Sequence, residues 1–152
     1  SPPRKKIYTK IRRVKLGREF CFTNMEQGML GKVILWISAI VFIPYGLVCL
    51  YNPSLPAGYA GLTMGSGDAF VEIGAMYGGL QTGFGLFCLL GALRTEFFRP
   101  ALPALLVIVG GLALGRLYST ATSADPVGGY TWAAMAYEFT TATLAGLALR
   151  KA

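Results

Sequence analysis

Three ionisable residues sit inside stretches that are otherwise apolar: Glu72, Arg116 and Glu138. Glu72 opens the run EIGAMYGGLQTGFGLFCLLGAL, in which one carboxylate precedes twenty-one uncharged residues. Arg116 closes the apolar segment that begins at Pro100, and Glu138 alone interrupts the segment from Tyr130 to Leu149. Charges in such surroundings are costly and serve as ligand, proton or substrate sites by default. Two carboxylates in unlike environments can divide acid and base roles between them. A carboxylate beside a guanidinium can equally do no more than fix helix register. Other chemistry lacks its parts. The chain contains no histidine, and Cys21, Cys49 and Cys88 show no CxxC or other ligand-like spacing, so the reading expects no metal and no cofactor. The cysteines are read as packing residues.

The elements that must position these charges are helices of membrane length. The chain has 152 residues, 54% hydrophobic and 14% charged, with a mean hydropathy of +0.53, which is too apolar for an ordinary soluble domain. About twenty apolar residues span a bilayer as a helix, and the spacing predicts four such helices over about 30–51, 69–93, 100–118 and 130–149. The expected fold is therefore all-α, a multi-pass membrane protein built as a four-transmembrane-helix bundle. A basic flank over 1–28 precedes a membrane domain over 29–152. Pro44 and Gly46 predict a kink in the first helix, and Ser66 and Asp68 are candidate caps for the second. The loop between them is expected to hold a short interfacial helix.

Charge distribution orients the path. The net charge of +7 would ordinarily raise nucleic acid as a partner, but eight of fourteen Lys and Arg residues lie in the first eighteen positions. That excess is a tail, read either as a disordered flank or as an anchor to anionic headgroups, and no nucleic-acid partner is expected. Met25 opens a conventional membrane-protein start. Leaving the tail aside, Lys32, Arg94, Arg99, Arg150 and Lys151 fall on one side of a four-helix path and Arg116 on the other. The positive-inside rule then places both termini in the cytoplasm. Tyr51, Tyr59, Tyr118, Tyr130 and Trp132 gather at the outer boundary as an aromatic belt.

Small residues predict where helices approach closely. At 100° per residue the second helix carries Gly79 and Gly83 on the side of Glu72, and Gly74, Gly78, Gln81 and Gly85 on the opposite side. This makes it the expected centre of the assembly, the best packed of the helices. Gly111 and Gly115 form a GxxxG pair in the third. Helical side chains lean toward the N-terminus, so Arg116 on an ascending helix and Glu138 on a descending one should converge. Glu72, leaning outward, should reach water. Tyr77, Gln81 and Thr141 are candidates to line the resulting polar pocket or to bond between helices.

The motifs YGLVCLYNP, E-I-x-A-x-Y-G-G-L-x-x-G-x-G-L-F and G-G-L-A-L-G-R-L-Y-S, joined to the acid at Glu138, resemble those of bacterial four-helix membrane proteins grouped as domain of unknown function 4345. The likeness covers about residues 30–150. It implies four helices and a bacterial membrane and brings no activity with it. A looser likeness to DoxX-like proteins is topological. Three functions compete. The first is a binding or accessory protein whose outer-half polar pocket holds a lipid-like or quinone-like ligand or a partner helix, in contact with membrane lipids and open to a larger complex or a homo-oligomer. The second is a membrane enzyme using Glu138 or Glu72 as acid or base on an apolar substrate. The third is a proton-coupled small exporter. The first is preferred, because no nucleophile or cofactor motif is present, and because small exporters with an embedded glutamate carry it in their first helix.

Overall fold

A computed structural model describes residues 28–150. The expectations for the basic flank, Met25 and Cys21 lie outside the described residues. Among the described residues the fold is all-α, with no strand. Four long helices and one short one make it up: α1 (Gly28–Tyr51), α2 (Ser54–Ala60), α3 (Gly67–Leu93), α4 (Thr95–Thr122) and α5 (Gly129–Leu149).

Three helices, α1, α3 and α4, are long and apolar enough to cross a membrane. Of the four spans expected, three meet that measure. At 21 residues α5 has the length, but Glu138 and the threonines at 131, 140, 141 and 143 dilute its apolar character. The outward faces of the long helices carry large apolar side chains such as Ile40, Leu80, Val107 and Leu114. A soluble monomer rarely exposes apolar surface on this scale.

Local sequence explains the boundaries. Ser66 caps α3, its hydroxyl accepting from the Ala69 amide at 3.2 Å, and Asp68 lies in the first turn where the helix dipole favours an acid. The loop does hold a short helix, α2, which ends at Gly61 in the left-handed region (φ 69°), a conformation that costs glycine little. Between α3 and α4 only Arg94 is extended. The charged stretch 95–99, expected to be a link, is helical, and Pro100 and Pro103 sit inside α4 rather than opening it. Each proline removes one hydrogen bond to the carbonyl four residues earlier, a cost confined to the first three turns of a long helix. Within α3, Gly74–Gly79 form a π-helical turn, which no sequence pattern predicted.

Glycines show how the helices meet. A Cβ on Gly46 of α1 would strike Thr82, whose hydroxyl and amide lie against it, the amide at 2.6 Å. A Cβ on Gly78 would lie 2.7 Å from the Leu50 backbone, and one on Gly85 would lie 2.9 Å from the Ile43 amide. Residue numbers rise along α1 as their partners fall along α3, so the two run antiparallel in backbone contact. Gly31 of α1 lies under the Phe98 ring of α4, and Gly91 of α3 under Ala101 of α4. Phe42 of α1 meets Phe84 of α3 and Tyr137 of α5 edge to face, with centroids at 5.3 and 6.3 Å. The core gathers Leu35, Phe42, Cys88, Leu102, Leu105, Val109 and Ala145 from these four helices.

The central helix is therefore α1. In its most apolar stretch 39% is buried, against 22% for α3 and 28% for α4. The expectation that the second long helix is best packed is corrected, and so is the expectation that both of its glycine sides meet neighbours. Gly74, Gly78 and Gly85 are buried, whereas a Cβ on Gly79, Gly83, Gly111 or Gly115 would meet nothing within 4 Å among the described residues. One face of α3 lies on α1, and the face that carries Glu72 looks outward. Overpacking a tight site costs about 1–3 kcal/mol. Gly78→Leu and Gly85→Leu should therefore lower thermal stability in detergent by several degrees, while Gly79→Leu and Gly83→Leu should leave it unchanged, as differential scanning fluorimetry can measure.

Candidate functional site

The site is built where α4 lies against α5. These helices are also antiparallel: Gly110 faces Ala142, Gly146 faces Leu106, and the same register brings Arg116, six residues beyond Gly110, to Glu138, four residues before Ala142. The guanidinium grips the carboxylate side-on. Nε donates to Oε1 at 3.2 Å and Oε2 at 3.0 Å, and Nη2 donates to Oε1 at 2.8 Å. Glu138 is 5% exposed, and the Arg116 side chain is 28% exposed. The carboxylate is thus inside the protein, and the base reaches in from its edge.

Tyrosines from the other helices complete the locus. Tyr77, in the π-helical turn of α3, and Tyr130, at the start of α5, are close enough to the Arg116 guanidinium to interact electrostatically with it. The Tyr130 hydroxyl stands 3.4 Å from that of Tyr45 on α1, and either can donate. All four long helices therefore place a polar group at one end of the protein. Deeper in, the Tyr137 hydroxyl faces Ser38 and Thr141. Ser38 and Thr141 are 0% and 2% exposed, and the buried Ser38 and Tyr137 oxygens have no partner in good hydrogen-bonding geometry among the described residues.

Of the residues singled out from sequence, Arg116 and Glu138 are brought together as expected, and Thr141 is buried one turn below Glu138. Tyr77 belongs to the locus. Glu72 does not belong to a buried cluster: it is exposed and has no ion-pair partner among the described residues. It lies in the first two turns of α3, on the helix's outward face. Gln81 is half-buried and makes no side-chain hydrogen bond among the described residues. Cys49 and Cys88 are buried free thiols. Sequence reasoning missed Tyr45, Tyr137 and Ser38, and it placed Tyr130 in an aromatic belt. A lone serine among the apolar residues of α1 was the available signal for Ser38.

Chemically, the site is a charge-balanced pair with spare donors. A guanidinium carries five N–H groups, and its Nη1 donates to no described residue. No group of three metal-ligating side chains occurs among the described residues. The family described as a domain of unknown function, DUF4345, matches over residues 30–149. The chain belongs to the DUF4345 family. The DUF4345 match takes in all five helices and therefore the whole Arg116–Glu138 locus. No curated protein and no solved structure matches the chain, and the comparisons do not show the likeness to DoxX-like proteins.

Breaking a buried pair on one side strands an ion and costs about 3–5 kcal/mol, whereas replacing both partners by neutral groups costs much less. Arg116→Met and Glu138→Gln should each destabilise this DUF4345 protein strongly, and the double variant should be more stable than the sum of the two losses allows. A double-mutant cycle read by thermal unfolding in detergent measures this coupling.

Proposed function

We propose that the protein is a bacterial inner-membrane protein of four antiparallel spans, with both termini cytoplasmic, that binds a lipid-like ligand at the Arg116–Glu138 locus in its outer half. α5 joins α1, α3 and α4 as the fourth span: Glu138 and Thr141 are buried against the other helices, and Glu138 is satisfied by Arg116 rather than by lipid or water. The orientation rests on the basic residues, five on the side of the termini and one, Arg116, on the other. The aromatic residues Tyr51, Tyr59, Tyr118 and Trp132, all exposed, lie at the helix ends and in the loop on the Arg116 side. Such rings favour the headgroup level.

The observation that carries the binding role is the guanidinium itself. Glu138 uses one edge of it, Nε and Nη2, and leaves the Nη1 donors without a described partner, while Tyr77 and Tyr130 lie within electrostatic reach of the guanidinium. A site that served register alone would gain nothing from phenols of two further elements within electrostatic reach of the guanidinium, one of them joined to Tyr45 on α1. An accessory role in a larger complex is supported by a different feature, the outward glycines Gly79, Gly83, Gly111 and Gly115, where a partner helix could approach closely.

Orientation and binding can be tested separately. With the native cysteines replaced, single cysteines at Ser54 and Ser123 should react with an impermeant thiol reagent in intact cells, and one at Thr95 should not; the opposite pattern inverts the topology. Protein purified in mild detergent should retain an apolar small molecule detectable by mass spectrometry. A lost hydrogen bond to a charged group is worth about 1.5–3 kcal/mol, so the Arg116→Met/Glu138→Gln double variant should retain roughly tenfold less or lower still. Equal retention by both proteins contradicts the reading.

A further inference from the structure

The clearest unused capacity at the locus is for donating: the guanidinium N–H groups can only donate, and each phenol can donate or accept. The Nη1 nitrogen of Arg116 has no described partner. The hydroxyls of Tyr45 and Tyr130 meet at 3.4 Å, and Tyr77 adds a third phenol within electrostatic reach of the guanidinium. The strong acceptor, the Glu138 carboxylate, is buried and already engaged through both oxygens. A ligand that fits must therefore bring acceptor oxygens.

Charge decides which kind of acceptor. On the Arg116 side of the four-helix path the described acids are Asp68, Glu72, Asp125 and Glu138, and the described basic residues there are Arg116 alone. An incoming phosphate or carboxylate would find the positive charge of Arg116 already balanced at 2.8 Å by Glu138, with further acids at the same end. A cation would be repelled by the guanidinium and find no free buried carboxylate. A neutral carbonyl oxygen meets neither penalty and can accept from both Nη1 and a phenol.

We propose that the ligand of this site is a neutral, membrane-soluble molecule whose head carries carbonyl oxygens, bound by the Arg116 Nη1 group and the Tyr45 and Tyr130 hydroxyls. This rests on the ligand-binding reading above. The shared chemistry can come from a quinone or from the ester head of a diacylglycerol.

Four probes separate these sources and the alternatives in one titration of the full chain in detergent: a short-tailed benzoquinone, dioctanoylglycerol, octanoate and dioctanoyl phosphatidate. The readout is equilibrium binding by thermophoresis, with tryptophan quenching as a second signal for the quinone. At least one neutral probe should bind saturably, with affinity reduced about tenfold in Tyr130→Phe and in the Arg116→Met/Glu138→Gln double variant. The neutral probe that binds more tightly names the source. The anionic probes should neither bind comparably nor displace it. Tyr130→Phe removes one oxygen and leaves the ring in place, and its melting temperature provides the check that it folds. Tighter binding of octanoate or phosphatidate, lost in the same variants, would overturn the neutral-head inference and leave the ligand-binding reading standing. No saturable binding by any probe, or binding indifferent to both variants, would overturn the two together.

Discussion

A carboxylate held inside a helical protein must be matched, and Glu138 is the group on which the structure turns. Removing an ion from water costs several kcal/mol even after the protein relaxes around it, far more than the packing of any single alanine or glycine nearby can return. Arg116 meets that demand with three hydrogen bonds from one edge of its guanidinium. Because the two residues sit on antiparallel helices, meeting it also sets how far α4 can slide along α5. The pairs Gly110 with Ala142 and Leu106 with Gly146 lie in the register that the ion pair requires. A buried pair of this kind is weak evidence for extra stability against an apolar alternative. It is strong evidence for a specified alignment, and alignment is what a multi-tyrosine site needs.

The second constraint is steric. α1 touches α3 backbone to backbone through Gly46, Gly78 and Gly85, leans on α4 through Gly31 and reaches α5 through Phe42 and Tyr45. Where the hydrophobic effect gives little drive between helices, close packing of this kind is what holds them. The π-helical turn at Gly74–Gly79 lies within this contact, with Gly78 against Leu50 and Tyr77 within electrostatic reach of Arg116. Single π-turns often occur at functional sites because they shift a side chain off the ordinary helical face. Here the shifted turn carries the α3 contribution to the polar locus.

Much of this was legible in the sequence, for local reasons. The helices follow from apolar runs bounded by charge, proline and glycine, and the Ser66 cap follows from hydroxyl chemistry. The Arg116–Glu138 pair follows from the lean of helical side chains on antiparallel segments. What was not legible depends on which neighbour a face meets. The helical wheel of α3 separates two glycine-bearing sides correctly, but only tertiary arrangement decides that the Gly78 side meets α1 and the Gly79 side meets nothing described. Tyr45 and Tyr130 are 85 positions apart, so their meeting depends on the relative alignment of α1 and α5, which no local pattern encodes. Pro100 misled because a proline suits a first turn, yet α4 begins earlier, at Thr95, and accepts the loss of bonds near its end. The π-helical turn differs from an α-helical one by a single shift in hydrogen-bond partner, which glycine-rich sequence permits without announcing.

The central claim is that Arg116 and Glu138 are in direct contact when the protein is in a bilayer. Solid-state NMR on protein reconstituted in lipid, with arginine labelled at the side-chain nitrogens and glutamate at the carboxyl carbon, measures that contact through dipolar dephasing, and Glu138→Gln assigns the signal. The structure places Nε within 3.2 Å of both carboxylate oxygens and so predicts strong dephasing that disappears in the variant. Dephasing identical in the wild type and Glu138→Gln would show that the pair does not form, and the account of both the register and the site would fail with it.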